Sequence, residues 1–250
     1  MASAESFDLG LPGTGATGFS VTVASEPVLT AEQLQGVLGR VFELREHWIE
    51  RGPGFFTLGL AVYKDGSGSD GGQLDAEESN ARLVENFGPA LTDLKAFLAR
   101  ELEGEVEWGE ALPLPGFHIF EATALHPGEP VGNSHFDIQY IWGRFEERVL
   151  DAVSVTVPIQ IPAHGTSLEY WPVDYAELER LIGSGTIADI ADAERHFPRR
   201  DVAYEPGKAC VLRGLPLHRI GRTSPVQASD YRITLQGHAV RLGERWIAYW

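Results

Sequence analysis

The sequence predicts an α+β protein in which helices come first and a sandwich or barrel of short strands follows. Amphipathic helical patterns dominate residues 1–110, and short apolar runs between turn residues fill most of residues 111–250. The chain has 250 residues, of which 43% are hydrophobic, so it can bury one core of its own. Because it has no internal repeat and no obvious linker, we predict a single domain over residues 1–250.

The N-terminal part is predicted to alternate between strands and helices. Thr30 and Gln33 form a capping-box pattern, which marks the start of a helix. Pro89 lies inside the second helical pattern and is expected to kink or divide it. The predicted elements are a strand at Gly18–Ala24, a helix from Thr30 to about Ile49, a strand at Phe55–Tyr63 and a helix over Glu78–Glu101.

The C-terminal part is predicted to consist of short strands around one helical insert. The insert covers residues 173–196, and the sequence Gly183-Ser184-Gly185 within it favours two short helices over one long one. The predicted strands are Gly116–Leu125, Ala152–Ile161, Thr166–Trp171, Cys210–Arg213, Tyr231–Val240 and Arg245–Tyr249.

Composition argues against several classes of function. The 20 Lys and Arg residues against 36 Asp and Glu residues give a net charge of −16, which repels nucleic acid, although one local arginine can still hold a small anion. A single cysteine, Cys210, allows no internal disulfide and no zinc site that needs two or more cysteines. No run of 18 apolar residues predicts a membrane span. Residues 1–19 lack Lys and Arg, so we expect no targeting peptide and a cytoplasmic location.

The most informative residues are His135-Phe136-Asp137. On a strand, residues two apart point to the same side, so an imidazole and a carboxylate can reach one point. With one further histidine they would form the 2-His-1-carboxylate arrangement that holds non-haem Fe(II). His-x-Asp alone arises often by chance, but downstream a turn ends in His218, and Arg232 follows fourteen residues later on a strand. That separation suits a hairpin that returns Arg232 to the same site.

This order and spacing resembles that of the Fe(II)- and 2-oxoglutarate-dependent oxygenases. The segments EPGKACVLRGLPLH (residues 205–218) and PGFHIF (residues 115–120) are also similar to segments of that family. The resemblance covers about residues 113–240. It implies a double-stranded β-helix core, the jelly-roll of cupin-like proteins, with the N-terminal helices flanking it.

The resemblance also implies the metal ligands and the reaction. His135, Asp137 and His218 would hold Fe(II), and 2-oxoglutarate and O₂ would be the cosubstrates. Because Asp137 is a carboxylate and not a small residue, the resemblance points to hydroxylation and not to halogenation. The implied products are a hydroxylated small molecule, succinate and CO₂. The substrate class stays open between a free amino acid and a natural-product intermediate, and the oligomeric state stays open too.

Within the resemblance, Arg232 would bind the distal carboxylate of 2-oxoglutarate through a bidentate ion pair. Thr234 stands where the family often has a hydroxyl group that assists this arginine. Arg222 is a rival for the carboxylate, but it follows His218 by only four residues, which is too few for a strand to turn and return.

Six residues near the motif are candidates for contact with the substrate. Glu121 lies in an apolar strand, where a carboxylate needs a partner, so it could receive a substrate amine. His238 shares a strand face with Arg232 but lies about 20 Å from it, so we do not expect it in the ligand set. The competing interpretation is a solvent-facing strand position for Glu121, a hydrogen-bonded core histidine for His118, and packing in the core or at its rim for the other four. The six are His118, Glu121, Asn133, Gln139, Trp142 and Trp171.

Other functions stay open from the sequence. Desaturation or cyclisation would use the same iron site and would differ only in the product. A non-catalytic cupin-like binding protein or a redox-inactive metal hydrolase could share the three ligands. Arg232 discriminates between these classes, because neither of the last two needs a buried arginine beside the metal.

Overall fold

Two β-sheets form the framework of the computed structural model, which describes residues 19–65, 75–126, 128–141, 145–162, 166–223 and 227–250. The large sheet has nine strands and the small sheet has four within these ranges. All pairings are antiparallel except the one between β4 and β13. The strands are β1 (Ser20–Val23), β2 (Ile49–Gly52), β3 (Phe55–Leu58), β4 (Val106–Trp108), β5 (Gly116–Glu121), β6 (Pro130–His135), β7 (Val149–Gln160), β8 (Leu168–Trp171), β9 (Arg200–Val202), β10 (Cys210–Arg213), β11 (Leu217–Arg222), β12 (Tyr231–Leu242) and β13 (Arg245–Tyr249).

Five α-helices accompany the strands in the described part of the chain. They are α1 (Ala31–Glu43), α2 (Val62–Asp65), α3 (Glu77–Glu101), α4 (Tyr175–Gly183) and α5 (Ile190–His196). Mixed helices and antiparallel sheet confirm the predicted α+β class. The insert at residues 173–196 contains two short helices, as predicted. Among the described residues, no helix is both long enough and apolar enough to cross a membrane.

The large sheet has two chemically different faces. Its central strands β7 and β12 have twelve residues each, and alternate residues point to opposite sides. One side is apolar and packs against α1 and α3, which makes the largest core cluster of the molecule. The sheet residues of that cluster include Phe117, Ile119, Val153, Val155, Val157, Ile233 and Leu235. The other side, which faces the small sheet, carries His118, Arg232, Thr234 and His238.

The helix α3 continues through Pro89, so of the two predicted effects of this residue, a kink or a division, the division is wrong. The proline removes a helical hydrogen bond, which costs about 3 kcal/mol. On either side of it, however, Phe87 and Leu91 are buried in the same core cluster. Burial of such side chains stabilises by about 1.5–3 kcal/mol each, so the apolar face keeps the helix in one piece.

Two N-terminal predictions need correction. The first helix ends at Glu43 and not near Ile49, because Ile49–Gly52 forms a hairpin with Phe55–Leu58. The predicted strand Phe55–Tyr63 ends at Leu58, and α2 follows it. The Asp65 carboxylate explains the change, since it accepts a hydrogen bond from the Ala61 N–H and closes the turn that begins the helix.

The small sheet has the order β6-β11-β8-β9, and only β8 was predicted as a strand. The other three carry polar and charged residues in place of an apolar alternation. Apolar clusters join the two sheets. In one of them, Leu168 of the small sheet packs against Cys210 and Leu212 of the large sheet. In another, Phe120 packs with Val131.

Candidate metal centre

His135 and His218 are direct cross-strand partners on β6 and β11. Residues in such a pair point to the same face, so the two imidazoles meet, and their ring centroids lie 4.5 Å apart. Asp137 follows two residues after His135 and has a side chain that is only 11% exposed. The ligand atoms of these three residues all lie within 4.8 Å of one another. The structure therefore brings together the three residues that the sequence predicted as ligands.

The carboxylate of Asp137 contacts both rings. Its Oδ1 lies 3.7 Å from Nε2 of His135, and its Oδ2 lies 3.4 Å from Nε2 of His218. Adjacent ligands of an octahedral ion are about 3 Å apart when each lies about 2 Å from the ion. Two imidazole nitrogens and one carboxylate at these separations fit the donor set of a 2-His-1-carboxylate metal site.

Both imidazoles are oriented by the same backbone contact. Nδ1 of His135 lies 2.9 Å from the carbonyl oxygen of Asn133, and Nδ1 of His218 lies 2.9 Å from that of Pro216. A carbonyl oxygen only accepts, so each Nδ1 carries the proton and donates it. Each Nε2 therefore faces Asp137 and is the nitrogen that would bind a metal ion once it carries no proton. The backbone of Asn133 thus serves the site, while its side chain is exposed.

The charges at the centre support one another. Burial alone would raise the pKa of Asp137, but the charge of His218 and its hydrogen bond, with His238 and His135 nearby, hold this pKa well below its usual range. Burial would lower the pKa of His218, and the neighbouring Asp137 raises it instead. The pKa of His135 is lowered by burial and by His218. The carboxylate is therefore ionised and ready to bind a cation.

Gln139 lies against the carboxylate of Asp137. Its Nε2 donates a hydrogen bond of 3.1 Å to Asp137 Oδ1, and its Oε1 is buried with no partner in the described part of the chain. The sequence placed Gln139 among the substrate candidates. The hydrogen bond places Gln139 directly against the carboxylate of the predicted metal ligand Asp137.

Arg232 is fully buried on the inner side of the large sheet. Its guanidinium lies 5.6 Å from the ring centroids of Phe120 and Tyr204, and Nη1 lies 3.4 Å from Thr234 Oγ1. Its Nε has no hydrogen-bond partner, and no described carboxylate lies within ion-pair distance of the guanidinium. Burial lowers the pKa of Arg232. A buried cation without a counter-charge is costly, so this position suits a bound anion. The rival Arg222 is exposed.

His118 also faces the interior, because it pairs with Thr234 across the β5–β12 ladder. Its Nε2 lies 2.6 Å from the hydroxyl of Tyr63, a residue of α2 that the sequence did not single out. Burial and the charge of Arg232 hold the pKa of His118 well below its usual range. The charge of Asp137 acts on both His118 and Tyr63. His118 is therefore within electrostatic reach of Arg232 and of the ligand cluster.

Two of the described substrate candidates are not brought to the centre. Glu121 lies on the helix-covered side of β5, and its carboxylate pairs with Arg45 at 2.7 Å, so the expected role as receiver of a substrate amine is wrong. Trp171 points to the side of the small sheet away from His218. Its Nε1 donates to the Glu194 carbonyl, and its ring packs among residues of α4 and α5. Trp142 lies outside the described residues.

The side of the small sheet that faces away from the ligands is held by ion pairs. Glu194 of α5 accepts a hydrogen bond from Ser134 at 2.7 Å with one carboxylate oxygen and from Arg219 at 3.0 Å with the other. Ser134 precedes His135, and Arg219 follows His218. The regular pairing of β6 with β11 is interrupted beside them. One carboxylate therefore joins the two ligand strands where the backbone ladder is irregular.

The sequence matches no family model and no curated protein. Solved structures are similar in fold. One is the "non-heme alpha ketoglutarate dependent epimerase SnoN from nogalamycin biosynthesis", with 14% identity and a TM-score of 0.53, covering 90% of this chain and 79% of that one. Another is a "Novel N-Substituted L-Amino Acid Dioxygenase in complex with alpha-KG" from Burkholderia ambifaria AMMD, with 11% identity and a TM-score of 0.50, covering 93% and 86%. At such identities the likeness is one of fold. At that level it confirms the predicted resemblance to the Fe(II)/2-oxoglutarate oxygenases.

Proposed function

We propose that this protein is an Fe(II)- and 2-oxoglutarate-dependent oxygenase that hydroxylates a C–H bond of a small molecule and releases succinate and CO₂. The observation that carries the proposal is Arg232, a fully buried guanidinium with a free Nε and no described carboxylate partner. Arg232 lies on the face of the large sheet that is turned towards the small sheet and its His-Asp-His cluster. A metal hydrolase or a binding protein built on the same three ligands has no need of such a cation.

In this proposal His135 and His218 bind Fe(II) through Nε2, and Asp137 binds it through a carboxylate oxygen. Arg232 holds the distal carboxylate of 2-oxoglutarate, and Thr234 supports the guanidinium through its hydroxyl group. The two sheets correspond to the two halves of a double-stranded β-helix within one domain. The fold neighbours, whose names include alpha-ketoglutarate, support the same cosubstrate.

The side chains of this protein position the reactants and exclude water. When bound, iron with 2-oxoglutarate and O₂ would supply the oxidising chemistry. The aromatic rings of Phe120 and Tyr204 lie against the Arg232 guanidinium and would keep water away from the carboxylate that it binds. Gln139 keeps the Asp137 carboxylate in place. The side chain of His135 is 53% exposed, so the substrate would approach from its side.

Oxygen consumption tests the proposal directly. The purified protein with Fe(II) and 2-oxoglutarate should consume O₂ and form succinate even without its primary substrate. His135→Ala should abolish this turnover, whereas the control His47→Gln, in the N-terminal scaffold, should retain it. If Asp137→Ala leaves both the turnover and the iron affinity intact, the ligand assignment is wrong.

The assignment of Arg232 has its own test. Arg232→Ala should raise the 2-oxoglutarate concentration for half-maximal turnover by at least about thirtyfold, because loss of one partner of a buried charge pair costs about 2 kcal/mol or more. The exposed Arg222→Ala should leave it unchanged. The reverse result would move the carboxylate site to Arg222.

Product mass separates hydroxylation from the related outcomes. A hydroxylase adds one oxygen atom to the substrate, a desaturase or cyclase removes two hydrogen atoms, and an epimerase leaves the mass unchanged. The fold neighbours carry the names of an epimerase and a dioxygenase, so the fold itself accommodates more than one of these reactions.

A further inference from the structure

Gln139 is a buried polar side chain that contacts the proposed metal ligand Asp137 directly. It is 7% exposed, and its Nε2 lies 3.1 Å from Asp137 Oδ1. A carboxylate that holds a cation can only accept hydrogen bonds, so the amide nitrogen of Gln139, and not the amide oxygen, must face Asp137. The direction of the amide therefore follows from the chemistry of the contact.

The amide oxygen of Gln139 argues against a role in packing alone. This Oε1 is buried and has no hydrogen-bond partner in the part of the chain that the structure describes. A buried acceptor without a partner is costly, and an apolar side chain of similar size would fill the same space without that cost. The hydrogen bond to Asp137 is the contact that offsets it.

The short segment that carries Asp137 and Gln139 is anchored on both sides. Phe136 packs against an apolar cluster that includes residues of α4 and α5. Tyr140 packs against a different cluster, which consists largely of residues from the large sheet. Between these anchors the chain turns as a short 3-10 helix, Gln139–Ile141. The anchors therefore hold the Gln139 amide against the carboxylate.

The two oxygens of Asp137 have different surroundings. Oδ1 accepts the hydrogen bond from Gln139 and lies 3.7 Å from Nε2 of His135. Oδ2 lies 3.4 Å from Nε2 of His218, which is closer to the separation of about 3 Å between adjacent ligands of an octahedral ion. A carboxylate that binds an ion through both oxygens must turn both of them towards it. That movement would pull Oδ1 away from Gln139.

We propose that Gln139 is a positioning residue that makes Asp137 bind the metal ion through Oδ2 alone. The proposal rests on the proposed function. An octahedral ion has six positions, and two imidazoles with one carboxylate oxygen leave three of them open. The two cosubstrates of the proposed reaction need all three. Binding through both oxygens of Asp137 would fill one more position, so Gln139 preserves the capacity of the site for both cosubstrates.

Gln33 makes the same kind of contact in the N-terminal scaffold. Its Nε2 donates a hydrogen bond of 2.6 Å to the carboxylate of Asp93 and joins α1 to α3. These helices cover the side of the large sheet that faces away from the small sheet. Gln33→Leu therefore removes an amide–carboxylate bond of the same type without touching the ligand cluster, which makes it the matched control for Gln139→Leu.

The number of water molecules on Mn(II), bound in place of Fe(II), tests the proposal without turnover. Bound Mn(II) relaxes solvent protons in proportion to the water molecules that it carries. The wild type should carry three and Gln139→Leu two, so the relaxation enhancement of the variant should fall to about two-thirds. With 2-oxoglutarate added under nitrogen, one water molecule should remain in the wild type and none in Gln139→Leu. Gln33→Leu should match the wild type at both stages.

A second variant and a ligand variant complete the test. Gln139→Met has the same length as glutamine and no donor, so it should show the same loss of water and serves if Gln139→Leu does not fold. If the Gln139 variants bind Mn(II) and their relaxation enhancement equals or exceeds that of the wild type, the inference about Gln139 is overturned and the metal centre stands. Equal Mn(II) binding by the wild type and by His135→Ala would refute the proposed metal centre itself.

Discussion

The large and the small sheet are held together by different interactions. In the large sheet, β7 and β12 have twelve residues each, and an apolar face is covered by α1 and α3. In the small sheet the strands have three to six residues, and the side away from the ligands carries a network of Arg219, Glu169 and Glu194. The large sheet therefore provides most of the buried apolar area. The small sheet provides the two histidines that we propose as metal ligands, and the geometry of this pair depends on a few polar contacts.

Phe117→Ala should cause the largest change in stability. Phe117 is fully buried in β5, and its ring centroid lies 4.6 Å from that of Phe87 on α3. Its truncation leaves a cavity and should lower the free energy of unfolding by about 3–5 kcal/mol in urea denaturation. Because the change lies on the helix-covered face, the fraction that remains folded should bind Mn(II) with unchanged affinity.

The exposed Val84→Ala on the same helix α3 is the control for Phe117→Ala, and its unfolding free energy should barely change. A loss of Mn(II) affinity in folded Phe117→Ala would show that the two sheets do not divide stability from ligand geometry as described.

Glu194→Gln should do the reverse of Phe117→Ala, because it should lower the affinity for Mn(II) and change the free energy of unfolding less. It keeps an oxygen that accepts from Ser134 but removes the charge that holds Arg219. The two ligand strands then lose part of their link, so Mn(II) affinity should fall about tenfold, at the lower end of the effect of groups that support metal ligands. The loss of unfolding free energy should be smaller than in Phe117→Ala.

Glu177→Gln is the matched control for Glu194→Gln. Glu177 pairs with Arg180 on the neighbouring helix α4, and both side chains of this pair are well exposed. Mn(II) affinity should stay at the wild-type value. Equal affinities for Glu194→Gln and wild type would mean that the carboxylate behind the sheet does not position the histidines.

Ionisation of the Cys210 thiol should have the smallest effect on stability of the three, and it tests the contact between the two sheets. Burial raises the pKa of its thiol to about 12, from an ordinary value of 9.0. The unfolded chain therefore loses this proton first as the pH rises. The corresponding stability is fully present below pH 9 and is lost progressively towards pH 12. At pH 10 the loss should be about 1.4 kcal/mol, since one pKa unit corresponds to that energy.

Urea denaturation between pH 8 and pH 10 measures this effect, with Cys210→Ala as the variant that lacks it. The folded wild type should also react slowly with a thiol reagent at pH 8, and the unfolded chain should react quickly. Rapid reaction of the folded protein would indicate that the two sheets separate at this cluster.

The contrast between the sheets also explains which strands could be predicted from the sequence and which could not. The strands β5, β7, β10, β12 and β13 follow apolar, β-branched runs, and all five were predicted. The strands β6 and β11 were missed as strands, although their histidines were predicted as ligands. Their sequences PVGNSH and LHRIGR carry the two histidines and the Ser134 and Arg219 contacts with Glu194, and no alternation of apolar residues marks them.

A similar distinction separates the site residues that the sequence predicted from those that it did not. Where a proposed role rests on motif order and spacing that resemble those of a known family, as for His135, Asp137 and Arg232, the sequence indicates it. Tyr63 and His238 were not expected at the centre, because their approach to Asp137 depends on how α2 and the middle of β12 fold over the ligands. The alternation of β5 could have excluded Glu121, since its neighbours Phe120 and His118 share the opposite face.

The matched carbonyl contacts of the two histidines bear on which ion the protein carries. With Nε2 of both imidazoles turned towards Asp137 before any ion arrives, loading requires the loss of a proton from His218 but little rearrangement of the chain. A preformed site of two nitrogens and one oxygen ranks divalent ions in their ordinary order of affinity, with copper above iron. Occupancy by iron is then decided by which ion the cell supplies, and assays should exclude copper and nickel from the buffers.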